Sequence, residues 1–117
     1  MTVSVMNLTP HAVTLRGDGG DVVFAPSGEV ARVVTTSGGE AVTVDGLGPV
    51  LPSEVTEGVE GLPDPEDGKV FLVSGFVLAN VKGRADVFAP ATGPRHGVVR
   101  DDKGRIKAVT KFLAAPK

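Results

Sequence analysis

Glycine and proline cut this chain into short, valine-rich runs, and only one stretch between the cuts, residues 75–82, reads as a helix. The 16 Gly and 9 Pro lie between the runs and are not gathered in one tract. Glycine supplies the positive φ of tight turns and proline removes a backbone donor, so the pattern is that of many short strands joined by turns. Valine, with its branched Cβ, suits a pleated surface. The expected fold is α+β and mostly β: compact antiparallel hairpins, as a sandwich or partly open barrel, with one short helix between two strands. A length of 117 residues fits one core, so residues 1–117 are read as a single domain.

Composition removes several function classes. All five aromatic residues are Phe, which argues against the stacking platforms of single-stranded nucleic acid binders. A net charge of −2 provides no overall basic field for duplex DNA, so no nucleic-acid partner is expected. With no Cys and two His, thiol catalysis, disulfides and thiolate zinc sites drop out. Asp64, Glu66 and Asp67 are interrupted by Pro63 and Pro65 and lack calcium-loop spacing. No metal or cofactor is expected. The first residues lack a basic, then apolar, leader pattern, and no apolar run approaches the ~20 residues of a membrane span. The reading is a cytoplasmic protein without a membrane partner.

Residues 2–8 alternate polar and apolar as a half-buried strand ending at Thr9-Pro10. Residues 12–16 and 21–24 flank Gly17-Asp18-Gly19-Gly20, a hairpin with a four-residue loop. Residues 30–36 and 40–44 flank Ser37-Gly38-Gly39 as a second hairpin, Asp45-Gly46 opens a third turn before residues 49–51, and residues 54–59 form a weak strand. After the proline-rich connection 61–68, residues 70–73 read as a strand covered on both faces. Ser74 is the expected N-cap and Gly83 the left-handed C-cap of the helix, and a strand follows at 86–89. If the strands around the helix are parallel, they make a short βαβ crossover. A last hairpin joins 98–100 to 105–112, with Ile106, Ala108, Thr110 and Phe112 on one face, and the residues from Ala114 onward read as frayed.

Six residues are candidates for binding a ligand: His11, Arg32, Ser74, Arg84, Asp86 and Arg100. His11 sits between strands, either as an acid, base or clamp or as a turn residue bonded to a carbonyl. Ser74-Gly75 opens a helix whose free N–H groups favour an anion, although it matches neither a phosphate loop nor a hydrolase elbow, and a plain N-cap also explains it. Arg84 and Asp86 alternate on one face, able to pair or to divide a phosphate and a hydroxyl between them. Arg32 is a cation within a strand, and Arg100-Asp101 opens a turn. His96 reads as surface.

Asn7-Leu8-Thr9-Pro10-His11, Pro26-Ser27-Gly28 with Ala31-Arg32, Gly61-Leu62-Pro63, Val73-Ser74, Arg84-x-Asp86 and Arg100-Asp101-x-x-Gly104-Arg105-Ile106 occur in this order along nearly the whole chain. In this ordered set the chain resembles a family of small bacteriophage, prophage and actinobacterial proteins that begin with an Asn-Leu-Thr-Pro-His motif. The family pattern sets an aromatic residue just before Ile-Val-Ser, where this chain has Phe71-Leu72 before Val73-Ser74. The resemblance brings no activity with it. It implies a phage-type accessory protein acting inside a bacterial host cell.

Three functional readings follow. In the first, the six candidates gather at the helix ends and sequester a small anionic or nucleotide-like ligand. In the second, the chain is a protein-interaction or structural module, pairing with a host protein or with itself as a homo-oligomer. The third, an enzyme using His11 with Asp86, is weakest, since no nucleophile or metal site accompanies them.

Overall fold

The computed structural model describes residues 3–116. Thr2 of the first expected strand and Lys117 of the expected frayed end lie outside them. The mostly β expectation holds, without a closed barrel.

The centre is a four-stranded sheet in the order β1 (Ser4–Asn7), β8 (Lys69–Leu72), β9 (Val87–Pro90), β12 (Phe112–Ala114). β8 runs parallel to both β1 and β9, and β12 is antiparallel to β9. The helix α1 (Gly75–Ala79) connects parallel β8 and β9, so this unit is the short βαβ crossover. Five residues cannot sustain a helix by propensity alone, and packing holds it: Val77 and Leu78 are buried beneath it. It ends at Asn80, three residues before Gly83. Gly83 does adopt a positive φ, but its N–H donates to the Pro116 carbonyl, so it ties down the C-terminal segment that the sequence reads as frayed.

Side chains alternate across the sheet and give it two apolar faces. On one, Phe71, Val73, Val87 and Ala89 are buried with Leu8, Val77, Leu78 and Val81. On the other, Val5, Val70, Leu72, Phe88 and Phe112 face Phe24, whose ring meets Phe112 edge to face at 6.4 Å. Phe24 ends the hairpin of β2 (Val13–Gly17) and β3 (Gly20–Phe24), whose loop is the two residues Asp18-Gly19, because Gly17 and Gly20 already pair.

One expected pairing, that of 30–36 with 40–44, is corrected, and the expected turn at Asp45-Gly46 before 49–51 is present. β4 (Arg32–Thr36) pairs with β7 (Val55–Glu60), not with the strand that follows it, and β5 (Val42–Val44) pairs with β6 (Gly48–Val50). One hairpin is thus nested in another. Ser37-Gly38-Gly39 makes a kink in which the Ser37 hydroxyl bonds both backbone groups of Gly39, and the reversal comes at 45–47. The two limbs stay together at the kink because Gly38 lies so close to the Ser53 carbonyl that a Cβ would overlap it.

The expected strand 105–112 is also two. β10 (Val99–Arg100) pairs with β11 (Ile106–Ala108); Val109 then exchanges backbone bonds with Thr14 and Arg16 of β2, and from Phe112 the chain joins β9. Thr110 turns its hydroxyl to the His96 and Gly97 carbonyls, which breaks the alternation expected from Ile106 to Phe112.

Candidate functional site

The best-built polar cleft lies at the N-terminal end of β9. Arg84 and Asp86 lie in the turn that leads into β9, not in the strand itself, and they meet as a bidentate pair: Nε to Oδ1 at 2.9 Å and Nη2 to Oδ2 at 3.0 Å. Nη2 also donates to the Pro63 carbonyl at 2.9 Å, which fastens the proline-rich connection to the sheet. Both side chains are about four-fifths buried. The two bonds from Arg84 are the main reason that the Asp86 carboxyl lies below the usual carboxylate range, and the same bonds raise Arg84. Beside them opens a cleft of about 390 Å³, also lined by Glu66, Asp67 and Val70. Among the described residues Arg84 Nη1 has no hydrogen-bond partner, so one edge of the guanidinium is available to a ligand.

The other four candidates do not join this cleft. Ser74 follows β8 at the opposite end of the parallel pair. Because Phe71 N–H bonds the Asp86 carbonyl, Ser74 lies roughly 10 Å farther along the strand. Its Oγ caps the helix by accepting from Val77 N–H at 3.3 Å. Arg32 stands opposite Glu60 at the base of the nested hairpin, exposed and without an ion pair among the described residues. Arg100 bonds the Gly104 carbonyl at 2.8 Å across the turn of β10 and β11.

His11 gives its carbonyl to a turn, and the residue also lines a separate groove with Val13, Thr14 and Lys107. Its carbonyl accepts from Asn7 Nδ2 and from Thr9 Oγ1, both at 2.9 Å. Asn7 is the centre of this arrangement. Its Nδ2 also donates to the Phe24 carbonyl, and its Oδ1 accepts from Thr9 N–H and Thr9 Oγ1. It is the buried polar residue among those described, 1% exposed and bonded on both ends of its amide. The sequence reading passed over it, although Asn two residues before Thr-Pro is the signature of a side chain that closes its own turn. His96 acts similarly, accepting Gly93 N–H on Nδ1 at 2.9 Å. Asp101 accepts from the backbone of Arg105 and Lys103, and these bonds, Arg105 first, hold its carboxyl below the ordinary range.

Two further surfaces were not legible in the sequence. The Phe24 side of the sheet leaves an apolar cavity of about 250 Å³ lined by Val5, Val70, Leu72, Phe88 and Phe112. The nested hairpin, residues 32–60, carries Val42, Leu47, Leu51 and Val55 more than half exposed. Only its base reaches the core, through Val33 and Val59. It makes the molecule long: 57 × 39 × 27 Å, with a radius of gyration of 17.5 Å, against about 13 to 14 Å for a compact chain of this length.

No cluster of groups suited to a metal occurs among the described residues, and none of their helices is long and apolar enough to cross a membrane. Comparison of the chain with family models, with curated proteins and with solved structures finds no match in any of the three.

Proposed function

We propose that this chain is a protein-interaction module that presents residues 32–60 as a binding arm. One observation carries this reading: among the described residues, the tip hairpin carries a run of largely exposed apolar side chains. Cross-strand neighbours Val42 and Val50 stand on the same face as Val44, and Val42 is 59% and Leu47 74% exposed. A two-stranded hairpin is marginal in water unless a third strand or another layer covers it. Contiguous exposed apolar surface is the mark of an interaction site. An accessory protein of the phage type needs no more chemistry than this.

The test replaces Val42→Thr, Leu47→Ser and Leu51→Ser together in the full chain. Light scattering and co-purification should show an associating wild type and a variant that is folded, with unchanged circular dichroism, but no longer associates. A variant that keeps every association of the wild type would refute the arm.

The cleft beside Arg84 favours a second reading, a small nucleotide-like ligand read by the free guanidinium edge and the Asp86 carboxylate. Glu66 and Asp67 line the same cleft, so a ligand offering hydroxyls suits it better than a strongly anionic one. Calorimetry against a nucleoside and nucleotide panel should give heat that Arg84→Ala abolishes; flat heats throughout would remove this reading.

A further inference from the structure

We infer that the partner of the arm is a second copy of this chain, and that the arm seats in the groove between β2 and β11 of that copy. This rests on the interaction reading above and adds the identity of the partner. The argument is one of charge and placement. Residues 32–60 hold one Arg against four Glu and one Asp, a net of −4, and residues 95–111 hold six Lys or Arg against two Asp, a net of +4. Among the described residues none of the five arm carboxylates forms an ion pair, and of the six cations only Arg105 does, with Asp101.

The basic segment borders a groove of about 350 Å³ whose walls include Val13, Thr14, Pro90, Ile106, Lys107 and Val109. Ile106, 45% exposed, offers the apolar contact that the valines and leucines of the arm require. Lys107, which lines the groove, is exposed next to it in sequence. Asp21 and Asp101 also feel Lys107, but each has its own closer cation, Arg16 and Arg105. A copy's own arm is badly placed for its own groove. The base of the arm packs with the core on the helix side of the sheet, whereas β2 belongs to the hairpin that covers the other side through Phe24. Reciprocal exchange between two copies satisfies both charges in each and closes as a twofold dimer.

Sedimentation of the full chain tests this. Wild type is expected to be a dimer that tightens as salt is lowered, since exposed charges are screened less. Glu40→Lys with Glu54→Lys in the arm, or Lys107→Glu at the groove, should each weaken the dimer at least about tenfold, because like charges then face each other. Mixing the two variants should restore it, since each contact again joins opposite charges. A dimer indifferent to the groove variant yet lost in the Val42, Leu47 and Leu51 variant overturns the groove as the seat and leaves the arm as an interaction element. A wild type that stays monomeric while binding another protein through the arm overturns the second copy as partner. A monomer with no partner overturns this inference and the interaction reading together.

Discussion

The sheet and the arm are made of the same residue, valine, and treat it in opposite ways. Val73 and Val87 in the sheet are wholly buried, whereas Val42 and Val55 in the arm are more than half exposed. Composition does not separate them; the number of layers does. Each face of the four-stranded sheet has something upon it, α1 and the base of the arm on one side and Phe24 on the other. Among the described residues, the ribbon of the arm beyond Val33 and Val59 adds no side chain to the core cluster. A β-rich chain can thus divide into a part that holds the fold and a part that the fold holds out.

Mutations should break along the same line. Phe71 is completely buried at the centre of the sheet, and Phe71→Ala should cost about 3–5 kcal/mol in chemical denaturation. Asn7→Ala should come next, at about 2–4 kcal/mol, because it removes a donor from the carbonyls of His11 and Phe24 and the acceptor of the Thr9 N–H around a side chain that is 1% exposed. Arg84→Ala should cost about 2 kcal/mol, through the loss of the ties to Asp86 and Pro63.

The Arg84 pair also fixes a pH dependence. The folded Asp86 carboxyl is depressed, so its contribution is present at neutral pH, above its unfolded value, and fades as pH falls through the folded value. Acid titration of stability should therefore steepen below about pH 4 in wild type and flatten in Asp86→Asn. At the small end, Val42→Thr with Leu47→Ser should move the stability of the dilute chain by less than about 0.5 kcal/mol, as befits exposed positions. A loss in the arm comparable to that at Phe71 would erase the distinction between the two regions.

Much of this was legible in the sequence where structure is local. The apolar run before Ser74, the capping hydroxyl, the reversal at Asp45-Gly46 and the pairing of Arg84 with Asp86 depend on residues within a few positions of one another, and all are present. The nesting of β5 and β6 between β4 and β7 was not legible. A Ser-Gly-Gly segment signals a break in the strand without saying whether the chain reverses or only bends. Here the answer lies in the approach of Gly38 to Ser53, fifteen positions away. The split of 105–112 escaped for a similar reason: alternation continues through the sequence while the partner changes from β10 and β2 to β9.

Of the six candidates, Arg32 and His11 lie exposed on other elements, while Ser74 and Arg100 are taken up by a cap and a turn. Side chains that turns require are also the ones that ligands would attract. Asn7, Thr9, Ser74 and Asp101 spend their hydrogen-bonding capacity on nearby backbone, and Arg100 spends a bond on Gly104. Only Arg84 and Asp86 combine burial with a cleft. The apolar arm has no motif, since exposure is a property of what surrounds a valine.

Hydrogen exchange of the dilute, monomeric chain tests the division between sheet and arm most directly. Amides of β8 and β9 should exchange only through global opening, and those of β5 and β6 should exchange orders of magnitude faster. Arm amides as slow as those of Phe71 and Val87 in the monomer would mean that the ribbon is part of the core, and would contradict its role as a free binding surface.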